Sequence, residues 1–217
     1  MITKLIPKLV NRLNDTLPGE KAFQKLSPIP IKGYRKPTED YSPAGVMSLI
    51  YPKEGQAHIL FMKRTSLHPN DKHAGQISFP GGKKDPEDID MEACAIRECW
   101  EEVGVQKDKY AILGELSELY ISVSNFLIQP YLAYAKNPLT FEIETKEVSE
   151  LIEFPLANLL DYKNLDVTEI LVRGYKMKNV PYFDLNGQVL WGATSMITSE
   201  IIHVMRELDV SPKDLIY

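Results

Sequence analysis

Three glutamates, Glu98, Glu101 and Glu102, fall within one helical turn of each other in the octet RECWEEVG at residues 97–104. In a helix, residues three and four apart share a face, so Glu98 looks at both of the others, and like charges at those spacings repel by roughly 0.2–0.5 kcal/mol per pair. Gly104 reads as the residue that ends the helix, which sets the carboxylates near the negative end of the helix dipole, where anions are also disfavoured. Stability alone does not select that arrangement. A solvated acidic face is one account of it. The other is a bound divalent cation, because a hard metal such as Mg²⁺ takes oxygen ligands and neutralises the crowded charge.

The elements that must position these side chains can be read outward from the octet. Upstream, Gly81 and Gly82 allow a tight loop whose backbone comes close to a ligand, and Asp88 or Asp90 can cap the helix that follows. Along that helix Ala93, Ile96, Cys99, Trp100 and Val103 recur at helical spacing as one apolar stripe, which predicts the carboxylates on the roughly opposite side. Short apolar runs at 45–51 and 57–63, separated by Pro52, Gly55 and Gln56, predict two buried strands joined by a turn. Runs at 110–119, 126–135 and 148–154 are strand-like, and PLANLLD at 155–161 opens with a proline suited to the first position of a short helix. Asn186 and Gly187 between apolar runs predict a type I′ hairpin over 180–191, and 195–208 repeats apolar residues at helical spacing. Strands mixed with helices imply an α/β class with a mixed sheet covered on both faces.

Residues 1–40 read as an N-terminal helical extension and linker, and 41–217 as the domain proper. In the extension Leu5, Leu9 or Val10, and Leu13 form an apolar stripe, which must pack on the main domain or on a second copy in a homodimer. Proline-rich SPIPIKGYRKP at 27–37 reads as an extended connection. A content of 44% hydrophobic residues is ample for a core, and a net charge of −5 provides no global field for nucleic acid, so a polyanionic substrate must be met by local cations or metal. No run approaches a membrane span, and the start is broken by Lys4, Pro7, Lys8 and Arg12. Cys94 and Cys99, five apart on one helix, diverge and read as reduced packing residues, which suits a cytoplasmic setting.

The segment 81–105 resembles the Nudix box, in which a glycine and a spaced acid precede Arg-Glu-apolar-x-Glu-Glu-x-Gly-apolar, here Arg97, Glu98, Cys99, Glu101, Glu102, Gly104 and Val105. The interval from Gly82 to Arg97 is one residue longer than in the general box. It puts Ile89 at the first Glu position with Asp88 beside it. That longer form with Asp resembles the coenzyme A pyrophosphatase subgroup, as does the upstream run Leu60, Phe61, Arg64, His73, Gly75, Gln76, Phe79, Pro80, Gly81 and Gly82. WGATS at 191–195 is similar to the subgroup's last strand-to-helix junction.

The resemblance implies a Nudix-type α/β/α sandwich with a central mixed β-sheet. It also implies Mg²⁺- or Mn²⁺-dependent hydrolysis of coenzyme A, or a derivative, to 3′,5′-ADP and 4′-phosphopantetheine. Glu98 and Glu102 are the first ligands it points to, Glu101 is a further ligand or the base, and Arg97 orients the glutamates. Arg64, Lys72 and His73 are the candidate substrate-binding cations, with the amides of Gly81 and Gly82 beside them, while Glu144, Glu147 and Glu150 are candidate bases from outside the box. Hydrolysis of ADP-ribose or another nucleoside diphosphate derivative is the same-fold alternative. A nucleotide sensor without catalysis is the alternative from another class.

Overall fold

The computed structural model describes residues 2–28, 37, 39–65, 75–160, 164–172 and 174–217. Helices α1 (Ile2–Leu13) and α2 (Glu20–Phe23) precede the strands β1 (Ser42–Lys53), β2 (Gln56–Arg64), β3 (Ile77–Ser78) and β4 (Gly81–Lys83). Helix α3 (Met91–Val103) follows, then β5 (Ala111–Glu115), β6 (Leu119–Ile121), β7 (Phe126–Tyr134), β8 (Val148–Pro155) and α4 (Leu156–Leu160). The chain closes with β9 (Leu165–Val172), β10 (Tyr175–Asp184), β11 (Val189–Leu190) and α5 (Gly192–Glu207).

The main sheet is mixed. Its path is β3-β2-β1-β7-β5, with β1 and β7 parallel and with β4, β6 and β8 pairing β1, β7 and β2. Because successive strand residues point to opposite faces, each strand feeds two cores. Met47, Leu49 and Tyr51 of β1, Leu60 and Met62 of β2, and Tyr131 and Ala133 of β7 pack with Ala95, Cys99 and Val103 of α3. Their alternates Ile50, Ile59, Phe61, Leu132 and Tyr134 pack with α1, α4 and α5. The result is the α/β/α sandwich that the sequence implies.

The apolar stripe of the extension is buried as Ile2, Leu5, Leu9 and Leu13, and with Phe23 and Leu26 it joins the second of these cores. The main domain is therefore its partner. Most of the proline-rich connection lies outside the described residues.

Three expectations need correction. The run at 110–119 is not one strand. After Glu115 the N–H of Leu116 still bonds to Pro130 O at 2.9 Å, but that of Ser117 goes to the Glu200 carboxylate at 2.9 Å, so β6 begins only at Leu119. The strands β9 and β10, antiparallel neighbours in a second, three-stranded sheet, had no counterpart over residues 165–179. Finally, the last helix begins at Gly192, three residues before the predicted start. The Asn186–Gly187 turn is as predicted: both residues have positive φ, 57° and 93°, the combination of a type I′ hairpin.

Candidate active site

Helix α3 is fixed at both ends by its own sequence. Asp90 is the cap residue, its carboxylate accepting the Ala93 N–H at 2.7 Å, and Gly104 ends the helix in the left-handed conformation with its N–H on Trp100 O at 2.9 Å. The helix lies directly on β1 at Gly45, where a Cβ would stand 2.7 Å from Met91 O and 2.9 Å from Ala95 N. Strand β4 pairs with the same part of β1, Gly45 opposite Gly82 and Val46 opposite Gly81, so the Gly81–Gly82 backbone is held against the carboxylates of α3.

The predicted apolar stripe is rotated from the buried face. Trp100 is 55% exposed, whereas Ala95, Cys99, Val103 and Glu102 are buried. Taking Cys99 as centre, Glu102 lies only about 60° and Glu98 about 100° away around the helix. Including Trp100 and Ile96 had pushed that centre to the wrong side. The three glutamates are thus not one exposed array: Glu102 is 1% exposed, and the Glu98 and Glu101 side chains 13% and 48%.

Their partners differ accordingly. Glu102 Oε2 accepts the Gly81 N–H at 2.8 Å and Oε1 accepts from Arg64 Nη1 at 3.2 Å. Glu98 packs so closely on Gly82 that a Cβ there would lie 2.4 Å from Glu98 Oε1. Arg97 donates to Glu98 Oε1 and Glu101 Oε2, each at 2.9 Å, and from Nε and Nη2 to Asp88 at 3.0 and 2.8 Å. Of the two candidate caps Asp90 takes that place, while Asp88 is buried as the anchor of Arg97, and that hydrogen bond holds its carboxyl down at about 2. A partner nine residues away along the chain carries no signal in helical periodicity.

Burial raises the pKa of both inner glutamates. Glu102 is pushed up to about 8 by desolvation, opposed by the Gly81 amide and Arg64, with the charges of Glu98 and Glu147 adding to the rise. Glu98 is raised for the same first reason, opposed by Arg97, with Glu101 and Glu147 adding. Of the three candidate acids outside the box, Glu147 is the one whose charge adds to the rise in both. Glu144 turns back to accept the Lys146 N–H at 3.1 Å, and Glu150 faces Lys63 at 3.9 Å and Gln188 at 3.1 Å. Arg64 reaches the site, engaged by Glu102. Lys72 and His73 lie outside the described residues.

Among the described residues no three His, Cys, Asp or Glu side chains converge as a metal cage. The donors present are two carboxylates one helical turn apart, in surroundings where protein cations do not offset the burial of Glu102. That set fits a hard ion which keeps water and takes phosphate oxygens to complete its shell. A cavity of about 450 Å³ opens beside it, lined by Arg64, Gly81, Gly82 and Lys83 and by apolar side chains of the main sheet, β10 and α5.

The Nudix domain family matches residues 42–171, and the chain belongs to the Nudix hydrolases, pyrophosphohydrolases that generally depend on divalent metal. It is 36% identical over 141 residues to the uncharacterized Nudix hydrolase NudL of Yersinia enterocolitica, an alignment covering 64% of this chain and 69% of that protein. It is 29% identical over 172 residues to the mitochondrial coenzyme A diphosphatase NUDT8 of Homo sapiens, covering 78% and 72%. Among solved structures, the Nudix hydrolase RenU of M. smegmatis shares the fold with a TM-score of 0.50 and 17% identity, covering 78% of this chain and 86% of that one. No helix of the described residues is long and apolar enough to cross a membrane.

Proposed function

We propose that this protein hydrolyses the diphosphate of coenzyme A or of an acyl derivative, yielding 3′,5′-ADP and 4′-phosphopantetheine or its acylated form. The observation that carries this reading is the largely apolar cavity that shares Arg64, Gly81 and Gly82 with the surroundings of Glu98 and Glu102, which suits a diphosphate bearing a long, weakly polar arm. Likeness to proteins named coenzyme A diphosphatases in human and mouse supports it.

In this mechanism Glu98 and Glu102 would hold Mg²⁺ or Mn²⁺, with Glu101 as a further carboxylate. When bound, such an ion neutralises the diphosphate oxygens and lowers the pKa of a water. Arg97, itself fixed by Asp88, orients Glu98 and Glu101 through its two 2.9 Å contacts. Arg64 and the Gly81 N–H fix the two oxygens of Glu102. Glu147, whose charge adds to the raised pKa of both inner glutamates, is the acid outside the box assigned to accept the proton of the attacking water. Arg64, Lys72, His73 and the Gly81 and Gly82 amides contact the phosphates of the substrate, and Arg64 therefore links substrate to Glu102.

Product analysis of coenzyme A, an acyl derivative and ADP-ribose, each with Mg²⁺ and with Mn²⁺, tests the reading. Faster turnover of the coenzyme A compounds is expected. Equal or faster turnover of ADP-ribose overturns it, and absence of metal-dependent turnover of any diphosphate leaves a sensor.

A further inference from the structure

Helix α3 packs one face on the sheet and leaves another uncovered. Ala93, Ile96 and Trp100 lie within about 60° of one another around the helix, on the side away from the buried Ala95, Cys99 and Glu102. Trp100 is 55% exposed, and Ile89, just before the Asp90 cap, is 89% exposed. A hydrophobic residue in that place commonly packs back on the fourth residue of the helix. Here the fourth residue is the fully buried Cys94, and Ile89 stands clear of it. Single exposed apolar side chains are ordinary, but a row at helical spacing that ends in an exposed tryptophan has the composition of an interface core.

The charges beside the row indicate what covers it. Asp85, Glu87, Asp90 and Glu92 cluster at the start of α3, while Lys107 and Lys109, with Asp108 between them, follow its end. Glu92 and Lys107 share a flank, because both are neighbours of Tyr110. Burial above all, then Cys99 and Glu92, raise the pKa of the Tyr110 hydroxyl, and Lys107 Nζ stands 5.1 Å from the centroid of the same ring. When two copies of a helix face each other antiparallel about a twofold axis, each flank meets itself with its ends exchanged. The acidic start of each copy then meets the basic end of the other. A parallel pairing would set acid against acid.

We infer that the outer face of α3 is the contact surface for a second copy of this chain, with Trp100 packed on Ile89 of that copy and Glu92 facing its Lys107. One helix face and its flanks bury less than the about 1,600 Å² of a standard interface, so the dimer is a weak one, with a Kd of about 10 µM. The inference is independent of the substrate.

Sedimentation equilibrium of the full chain from about 1 to about 300 µM tests it. The wild type should pass from monomer to dimer across that range. Trp100→Glu and Ile89→Asp, at positions exposed enough to leave folding intact, should each weaken the dimer at least about thirtyfold. Glu92→Lys and Lys107→Glu should each weaken it about tenfold, and the two together should restore the wild-type Kd. Leu171→Asp, at an exposed apolar residue of the second sheet, should leave it unchanged. A wild type that stays monomeric throughout, or a dimer unmoved by Trp100→Glu, overturns the inference. Loss of the dimer in Leu171→Asp alone moves the contact to β9 and overturns it as well. Failure of the double charge reversal to restore association overturns the antiparallel pairing.

Discussion

Glu200 on α5 and Glu102 on α3 are both buried carboxylates, 0% and 1% exposed, and their surroundings are opposite in kind. Glu200 accepts two backbone N–H groups, from Gly19 at 2.8 Å and Ser117 at 2.9 Å, one on each oxygen. It ties the α2 entry and the β5–β6 junction to the last helix, and its charge is met by fixed dipoles. Glu102 has one such amide, an arginine at 3.2 Å, and two further carboxylates, Glu98 and Glu147, that raise its pKa beyond what burial already does. A buried acid satisfied by backbone is an anchor. One beside other acids, with a single arginine to offset them, is the arrangement that the proposed metal site requires.

The largest effect that would sharpen this contrast is in Glu102→Gln. Turnover should fall by about three orders of magnitude, while thermal unfolding shows a protein close to the wild type in stability, since burial already favours the uncharged form of this carboxyl. Unchanged turnover breaks the contrast at its active end. Next is Gly82→Ala. Its Cβ would stand 2.4 Å from Glu98 Oε1, an atom at the free end of a side chain, so the carboxylate moves rather than the backbone. Turnover should drop about a hundredfold with little loss of stability.

Glu200→Ala should do the reverse, costing about 2 kcal/mol in denaturant unfolding because two N–H groups lose a charged acceptor, while turnover per folded molecule holds. Smallest is Asp88→Asn, a loss of about 1 kcal/mol near neutral pH as Arg97 loses its anchor. Asp88 has a depressed folded pKa, so its contribution is complete above its unfolded value near 4 and disappears as pH falls through about 2. Unfolding curves of the two proteins should therefore differ above pH about 4 and converge towards pH about 2. A constant difference across that range contradicts the assignment.

The contrast also shows what the sequence could reveal. Both ends of α3 were legible, because an Asp cap and a terminal glycine act locally, and so was the Asn186–Gly187 turn. The grouping of Arg97, Glu98, Glu101 and Glu102 was legible from spacing and from the resemblance. Which glutamate lies buried was not, because Trp100 reads as core by type while tertiary packing leaves it exposed. The pairings Arg64–Glu102, Arg97–Asp88 and Glu200 with Gly19 and Ser117 join different turns or strands, and no local period announces them. The β9–β10 pair was missed because β9 alternates partly buried and exposed residues on a surface sheet, where hydrophobic contrast is weakest.

The most direct measurement is titration calorimetry of Mn²⁺ into the wild type, Glu102→Gln and Glu200→Gln, each with a non-hydrolysable diphosphate present. Ion uptake by the wild type and by Glu200→Gln, with uptake lost in Glu102→Gln, is the result this account predicts. Uptake by Glu102→Gln equal to that of the wild type would contradict it.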